Sequence, residues 1–320
     1  MVMDGYTLYA IFFMEANGSA VEHIPVLATT LAEQIILPKD AVMVDATVGH
    51  GGHSYLFGRT LGPEGIIVGL DVDRNSIQRA QLKLKDLQCR VVLICANFAD
   101  INEVLIEQGI KEVDFILADL GICSAQLTDV DMGLSFQTNM PLDMRFDKSL
   151  TTTAADIING FEEKSLADLI FRFGEDRASR RIARFIVQHR KSQPITTTGQ
   201  LAAIVARALG QAGPKRKSRI HPATRTFQAL RIAVNDELEN LEKLLGSAAK
   251  LLRKNGRTAV ISFHSLEDRL VKNNFKENQK QGIYRIVTKK PLVASEQEII
   301  YNPRARSAKL RIAQKIAVGA

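Results

Sequence analysis

Residues 42–55 join an apolar run, a glycine-rich turn and the start of an amphipathic segment near His53. The apolar run predicts a buried strand, and it ends on the carboxylate of Asp45. The turn that follows contains Gly49, Gly51 and Gly52. Open α/β sheets present a backbone cradle to nucleotide-like ligands in this order, because glycine takes positive φ at little cost and lets a main chain approach a ligand closely. The stretch therefore predicts a ligand-binding βα unit, with a tight turn that holds no ligand as the alternative.

A second apolar run, residues 66–71, also ends on an acid. The spacing from Asp45 to Asp71 is typical of one βαβ step, and an acid at the end of the second strand can accept hydrogen bonds from a ribose diol. The alternative role of Asp71 is to cap the next helix. Asp73 can serve as that cap equally well, so Asp71 is predicted to be available to a ligand.

Two more strands are predicted at residues 91–94 and 113–117. The first leads to Phe98, which could stack on a base or simply pack, and the second leads to Asp119. Ligands of doubly wound sheets bind at the carboxyl ends of the strands, where all these side chains fall. The fold class predicted is therefore α/β, with a Rossmann-like doubly wound sheet.

The alternation of strand and helix stops after the fourth strand. Residues 152–210 read as helical throughout, with Thr198 as a plausible cap of one helix. A helix over 237–252 with a stop signal at Asn255-Gly256 then delivers a fifth strand at 258–263, and 283–288 and 309–313 could complete the sheet. We therefore predict an all-helical insertion between strands four and five. The proposed division is a tail at 1–21, an α/β domain made of 22–132 and 225–320, and the insertion at 133–224.

The composition favours a polyanionic partner and a reducing compartment. There are 42 Lys and Arg residues against 35 Asp and Glu, giving a net charge of +7. The three cysteines are too few and too scattered for a disulfide framework or a zinc site, and no cluster resembles a metal cage. Residues 8–14 are apolar but too short to span a bilayer and lack the basic start of a signal peptide. We expect a cytoplasmic protein without a membrane partner, whose tail is disordered or whose true start is Met14.

The glycine turn does not suit a dinucleotide. Its third glycine is missing where a dinucleotide fold has one, and Asp45 would repel a pyrophosphate but suits a cationic amino group. S-Adenosylmethionine carries an α-amino group, a sulfonium, a ribose diol and an adenine. Asp45, the glycine turn, Asp71 and Phe98 match this set in chain order, which favours a methyl donor over NAD.

At this level of detail the chain resembles the bacterial small-subunit ribosomal RNA methyltransferase H family, formerly called MraW. The resemblance extends over residues 23–316. Its motifs are HIPVL at 23–27, DATVGHGGH at 45–53, DLGICSAQ at 119–126, GLSF at 133–136, PLDMR at 141–145, HPATRTFQALR at 221–231, ISFHSLEDR at 261–269 and NPRARS at 302–307.

The resemblance implies methylation of the exocyclic N4 of a cytosine in 16S rRNA by a class I methyltransferase domain with a helical substrate domain. It also implies which residues bind the cofactor: Gly51, Gly52, His53, Asp71, Phe98, Asp119 and Gln126. One departure is that Cys123-Ser124-Ala125 stands where the family usually has Ser-Ser-Pro, which loosens the loop. Because Gln126 is retained, cofactor binding is expected to survive.

N4 methylation requires an acceptor for the proton that the amine loses. The target base must also leave its stack, which single-stranded RNA allows at modest cost. Asp119 is the candidate acceptor by position, although the family assigns it to the cofactor. Backbone carbonyls of residues 120–124 are equally good candidates.

Polar residues in the densest motifs are candidates for contact with RNA, or for a salt-bridge network between insertion and core. They are Asp143, Arg145, His221, Arg225, Arg231 and His264. The basic run Lys215, Arg216, Lys217 and Arg219 is a candidate phosphate site or a solvated loop. The predicted partner is 16S rRNA in the small ribosomal subunit, and a homodimer is compatible with the sequence. A methyltransferase of another nucleic acid or small-molecule amine is the alternative, followed by a Rossmann-type oxidoreductase or a non-catalytic RNA-binding module.

Overall fold

The computed structural model of the 320-residue chain describes residues 25–122, 126–127, 129–210 and 221–316. The predicted tail, the Cys123-Ser124-Ala125 departure and the basic run from Lys215 to Arg219 lie outside the described residues. Contacts divide the chain into two compact units. One unit combines the part up to Gly121 with the part from Glu239, and the other is Ile122–Leu238.

The first unit contains a mixed sheet with the strand order β3-β2-β1-β4-β5-β7-β6. Strands β1 to β5 pair in parallel, and β7 is antiparallel to both β5 and β6. The strands are β1 Val42–Asp45, β2 Ile66–Asp71, β3 Arg90–Cys95, β4 Val113–Asp119, β5 Leu252–Ser262, β6 Tyr284–Ile286 and β7 Lys309–Lys315. The α/β fold class is confirmed, and the first two strands have the predicted bounds.

The helices lie where apolar residues recur at helical spacing. Those before β4 are α1 Ala28–Gln34, α2 Gly52–Gly58, α3 Arg74–Leu84 and α4 Ile101–Glu107. Those between β4 and β5 are α5 Ala154–Gly160, α6 Glu163–Gly174, α7 Ser179–Arg190, α8 Thr198–Ala208, α9 Thr224–Asn235 and α10 Glu237–Leu251. The last are α11 Ser265–Lys280 and α12 Glu296–Tyr301. The helical segment predicted between strands four and five is confirmed.

The sheet has an apolar layer on each face because its central strands are buried on both sides. Val44, Val68 and Ile116 belong to one core cluster, which also contains residues of α4 and α10. Met43 and Phe115 belong to the other, together with residues of α1 and α2. Near-continuous apolar runs are typical of such doubly covered parallel strands. The acids at the strand ends are thereby held at one edge of the sheet.

The helical unit has its own core, and its limits differ from the division drawn from the sequence at 132/133 and 224/225. Met132 is buried in this core, as are Phe227 and Leu230 of α9. Helix α9 also packs closely on α6, where a Cβ on Gly174 would lie 2.6 Å from the carbonyl oxygen of Arg225. The helical unit therefore includes Ile122 to Met132 and extends through α9 to Leu238.

The prediction that Asn255-Gly256 ends a helix was wrong. Helix α10 ends at Leu251, and β5 starts at Leu252 rather than at residue 258. Val113 pairs with Leu252 but Phe115 pairs with Arg257, so β5 carries extra residues opposite β4. Asn255 has a φ of 68° within this bulge. Bulges and helix ends both use residues that tolerate positive φ, which explains the misassignment.

The cap of α8 is Thr197 and not Thr198. The Thr197 side chain accepts a hydrogen bond from the backbone N–H of Gln200, which completes a capping box. Thr198 is fully buried, and its hydroxyl accepts from the backbone N–H of Met140. Within the described part of the chain, no helix is both long and apolar enough for a transmembrane segment.

Candidate functional site

The turn after β1 is tightly packed where its glycines lie. Gly51 has a φ of 80° and precedes α2, and a Cβ there would lie 3.2 Å from Cγ of Leu84. A Cβ on Gly52 would lie 2.6 Å from Cγ of Pro25. Larger residues would therefore strain the backbone at Gly51 and force Pro25 to move at Gly52. Pro25, in the segment before α1, thus packs on the turn.

Asp71, at the end of β2, is tied to the same turn. Its Oδ2 accepts a hydrogen bond from the backbone N–H of Gly49 at 2.9 Å, and its Oδ1 accepts from Asp73 N–H at 2.9 Å. Burial raises the pKa of Asp71 to about 6, against the lowering effect of these two bonds. Asp73 caps α3, as predicted, through the backbone N–H of Asn75. Each Asp71 oxygen accepts one of these bonds and has a further lone pair.

Asp45 lies beneath the turn and is only 1% exposed. Its Oδ2 accepts a hydrogen bond from the Ser54 hydroxyl at 2.7 Å, and its Oδ1 accepts from the backbone N–H of Thr47 at 3.3 Å. Burial raises the pKa of Asp45, although these bonds and His53 act in the opposite direction. The contacts found for Asp45 thus fix the turn and α2, and its contact with a ligand amino group stays a prediction.

Asp119 ends β4 beside the turn. Its backbone N–H donates to the Thr47 hydroxyl at 2.6 Å, and its Oδ2 lies 3.5 Å from Nε2 of His53. His53 is 6% exposed and the Asp119 side chain is 18% exposed. This pair brings together two of the predicted cofactor residues from different parts of the chain.

Three buried atoms of this pair lack a hydrogen-bond partner among the described residues. They are both ring nitrogens of His53 and Oδ1 of Asp119. Buried polar atoms are nearly always satisfied in native proteins, so unsatisfied ones need an explanation. A polar cofactor or substrate at the strand edge would supply the missing partners. These residues therefore fit a ligand such as S-adenosylmethionine.

Phe98 follows β3 and starts a short 3₁₀ turn, Phe98–Asp100, with Asn97 as its cap. It is partly buried and packs against the core cluster on one face of the sheet. Both predicted roles for Phe98, stacking on a base and packing, are compatible with this position.

Four residues of this site were not identified from the sequence. Glu298 accepts a hydrogen bond from the backbone N–H of Leu27 at 2.6 Å, and burial raises its pKa while His53 opposes the rise. A Cβ on Gly121 would lie 2.7 Å from the ring of Phe263. Thr47 and Ser54 act as hydrogen-bond partners of the strand-end acids. Thr47 lies inside the DATVGHGGH motif at 45–53, and Ser54 directly follows it. Glu298 lies far along the chain, and no sequence pattern indicated a role for it.

In the helical unit, Asp143 and Arg145 form a bidentate ion pair. Arg145 Nε lies 2.8 Å from Asp143 Oδ1, its second nitrogen lies 2.9 Å from Oδ2, and Lys148 lies 3.1 Å from Oδ2. Burial alone would raise the pKa of Asp143, but hydrogen bonds from Arg145 and Lys148 outweigh it and hold the pKa at about 2. Arg145 also donates to the carbonyl oxygen of Leu150. This network stabilises the segment before α5 from within the helical unit.

The other polar candidates of the helical unit differ in exposure. His221 is exposed, with its ring stacked on Phe136 at 4.4 Å between centroids and its Nδ1 accepting from Ala223 N–H. Arg225 is exposed and makes a long hydrogen bond to the carbonyl oxygen of Glu175. Arg231 is largely buried and forms a bidentate pair with Glu237 at 2.7 and 2.8 Å. Gln126 is partly buried and falls within the helical unit.

His264 has a structural role as the cap of α11. Its ring accepts from the backbone N–H of Glu267, while the Glu267 side chain accepts from the backbone N–H of His264. Its Nε2 lies 2.9 Å from Oε1 of Glu267, and its side chain is largely buried. These contacts favour a structural role for His264 over direct contact with RNA.

Comparisons with known proteins cover nearly the whole chain. The model of the MraW methylase family matches residues 20–316. The chain is 48% identical over 301 residues to "Ribosomal RNA small subunit methyltransferase H" of Acidobacterium capsulatum, covering 92% of this chain and 98% of that protein. It is 45% identical over 318 residues to the protein of the same name from Syntrophobacter fumaroxidans, covering 95% and 99%. The corresponding protein of Clostridioides difficile is 41% identical over 312 residues, covering 92% and 99%.

Proposed function

Because the chain belongs to the MraW methylase family, we propose that it methylates the exocyclic N4 of a cytosine in 16S rRNA with S-adenosylmethionine as the methyl donor. The observation that carries the proposal is the match, over more than nine-tenths of each chain, to relatives named for methylation of small-subunit ribosomal RNA. The unsatisfied atoms of His53 and Asp119 support a polar ligand at the same strand edge.

The donor supplies, when bound, a methyl group made electrophilic by its attachment to a sulfonium. The chain supplies a cradle for it at the point where the strand order reverses between β1 and β4. Gly51 and Gly52 would let the main chain approach the donor, and the remaining lone pairs of Asp71 would accept from its ribose hydroxyls. Phe98 would pack on its adenine. Asp45 supports the turn from below, and we retain it as a partner for the amino group.

The amine of cytosine is a poor nucleophile because its lone pair is delocalised into the ring. An acceptor that holds one amine hydrogen allows the nitrogen to pyramidalise and removes the proton during transfer. Oδ1 of Asp119 is a buried acceptor without a partner in the described structure, which suits this role. We therefore propose Asp119 as the acceptor that faces the amine, and Thr47 as the residue that fixes its backbone.

The RNA is proposed to bind through exposed basic and aromatic groups. His221 and Arg225 are exposed and suit such contact, and Gln126 is retained as a cofactor residue by resemblance. Asp143 and Arg145 are proposed as supports because they pair with each other, and His264 is proposed as one because its ring caps α11. The basic run Lys215, Arg216, Lys217 and Arg219 remains the proposed phosphate site. An enzyme of ribosomal RNA would act in the cytoplasm, and a homodimer stays a proposal.

The test is transfer of tritiated methyl groups from labelled S-adenosylmethionine to 30S subunits, with 50S subunits and naked DNA as controls. Digestion to nucleosides should then give N4-methylcytidine as the labelled product. Label on another nucleoside would reject the N4 assignment, and label on DNA or 50S subunits instead of 30S subunits would reject the substrate.

A further inference from the structure

His53 is surrounded by carboxylates from three different elements. Asp119 ends β4 and lies 3.5 Å from its Nε2, Asp45 ends β1, and Glu298 belongs to α12. Burial raises the pKa of Asp45 and of Glu298, and electrostatic interaction with His53 opposes this rise. A close contact joins His53 to Asp119, and electrostatic interactions join it to Asp45 and Glu298. A proton gained by the imidazole would therefore place its positive charge beside negatively charged groups.

The three carboxylates differ in the hydrogen bonds they already accept. Asp45 accepts from Ser54 and from the backbone N–H of Thr47, and Glu298 accepts from the backbone N–H of Leu27. Asp119 has an oxygen, Oδ1, with no partner, while its Oδ2 faces His53. Asp119 can therefore accept from a substrate on one oxygen while it contacts the imidazole with the other.

The imidazole itself is buried without a hydrogen bond. Neither Nδ1 nor Nε2 has a partner in the described structure, although the ring is only 6% exposed. A histidine kept only for packing would leave two buried polar atoms unsatisfied, which is unfavourable. Imidazole is also the side chain that gains and loses a proton near neutral pH. The burial of such a group against an acid points to a role in proton movement.

Resting on the proposed function, we propose that His53 is a positioning residue that takes up, through Asp119, the proton released by the target amine. As the bond between N4 and the methyl carbon forms, the carbon–sulfur bond breaks and its electron pair stays on sulfur. One N4 proton passes to Oδ1 of the ionised Asp119. The neutral carboxyl group then rotates and gives this same proton to Nε2 of His53, which enters the step unprotonated. The resulting imidazolium lies among three carboxylates, so the positive charge is compensated where it is formed.

The first test is the pH dependence of single-turnover methyl transfer to 30S subunits at saturating donor and subunits. In the wild type the rate should fall on the acid side, because a protonated imidazole cannot take up a further proton. His53→Asn should remove this acidic limb and lower the plateau by roughly 10²-fold. His189→Asn, in the helical unit, is the matched control and should keep both the limb and the plateau.

The second test is nitrogen-15 NMR of the histidines in the full-length protein without the methyl donor. The His53 signal is assigned by its loss in His53→Asn. Its titration midpoint in the wild type should coincide with the acidic limb of the rate profile. Asp119→Asn should move the midpoint to lower pH, because one of the facing negative charges is removed.

The outcomes separate this inference from the proposed function. An acidic limb that persists in His53→Asn, or a wild-type His53 midpoint that does not coincide with the limb, overturns the relay while methylation of 30S subunits stands. Absence of methyl transfer to 30S subunits at every pH overturns the proposed function instead. If His53→Asn does not fold, the His53 signal of the wild type is assigned through its sequential neighbours. The comparison of its titration midpoint with the acidic limb then tests the relay in the wild type alone.

Discussion

Asp71 accepts a hydrogen bond from the backbone N–H of Gly49 at 2.9 Å, so the acid at the end of β2 holds the glycine turn that follows β1. A single carboxylate therefore shapes the cradle, and we propose that its remaining lone pairs also bind the ligand. The two functions are coupled through the protonation of Asp71, because only the ionised form accepts on both oxygens.

We predict that the affinity for S-adenosylmethionine falls on acidification below about pH 6. Burial raises the pKa of Asp71 from its ordinary value of 3.8 to about 6. The contribution of Asp71 to the free energy of unfolding is therefore complete below pH 3.8 and is lost as the pH rises through about 6. Binding to ribose hydroxyls favours the ionised form of Asp71. The affinity for the cofactor therefore increases with pH over the range in which stability decreases. Calorimetric titration should show affinity about tenfold weaker at pH 5 than at pH 7.5.

Asp71→Asn is the control for this prediction. It should bind more weakly than the wild type at pH 7.5, with an affinity that changes little between pH 5 and 7.5. Equal wild-type affinity at both pH values would contradict the assignment of Asp71 to the cofactor.

Gly51→Ala is expected to lower the free energy of unfolding and the cofactor affinity together. An L-residue at a φ of 80° costs about 1–2 kcal/mol, and the added Cβ would lie 3.2 Å from Leu84 Cγ. Gly109→Ala is the matched control, since Gly109 has a φ of 69° with open space around its Cβ position. Urea unfolding should show the larger loss for Gly51→Ala, and only this variant should bind the donor about tenfold or more weakly. Equal effects of the two variants on binding would remove the turn from the cofactor site.

Asp143→Asn is expected to destabilise the helical unit by about 2 kcal/mol at pH 7, because the folded pKa of Asp143 is held at about 2 by Arg145 and Lys148. The stabilisation by the Asp143 carboxylate is complete above pH 3.8, its ordinary pKa, and is lost as the pH falls through about 2. The difference in unfolding free energy from the wild type should therefore shrink between pH 4 and pH 2.5. Glu163→Gln, which breaks an exposed pair with Arg184 at 3.8 Å, should change stability little. A pH-independent loss in Asp143→Asn would exclude the ion pair as its cause.

Replacing Lys215, Arg216, Lys217 and Arg219 with glutamine should flatten the salt dependence of RNA affinity. Each lost phosphate contact removes about 0.7–0.9 from the slope of log affinity against log salt, so four contacts remove about 3. A variant that loses four exposed lysines elsewhere, Lys254, Lys272, Lys276 and Lys280, controls for net charge alone. Filter binding at several salt concentrations measures both slopes. An unchanged slope in the first variant would identify the run as a solvated loop.

The sequence alone was sufficient for the bounds of the first two strands, which both end on acids. β1 and β2 have the predicted bounds because an apolar run between a turn and a carboxylate admits few other structures. The cap at Asp73 was also predictable, since capping depends on residues two or three positions apart. The resemblance of the ordered motifs to a methyltransferase family came from the same local patterns.

Tertiary structure decided which local signals were used. Thr197 and Thr198 are both good caps, and the burial of Thr198 against Met140 leaves the cap to Thr197. Asn255 and Gly256 signal a helix end, but pairing with β4 draws them into a bulge of β5. In both cases the choice rests on contacts between distant segments, which no window of sequence contains.

The same reason applies to the site. The sequence determined that the glycine turn before His53 and the acid Asp119 follow the carboxyl ends of strands, because parallel strands put these ends on one side of a sheet. That β1 and β4 are neighbours came from the fold. Only the folded chain brings Glu298 to the backbone of Leu27 and leaves Oδ1 of Asp119 and the ring of His53 buried without partners. Side-chain orientation and burial arise from packing across the whole unit, so the chemistry of the His53 carboxylate cluster belongs to the tertiary structure.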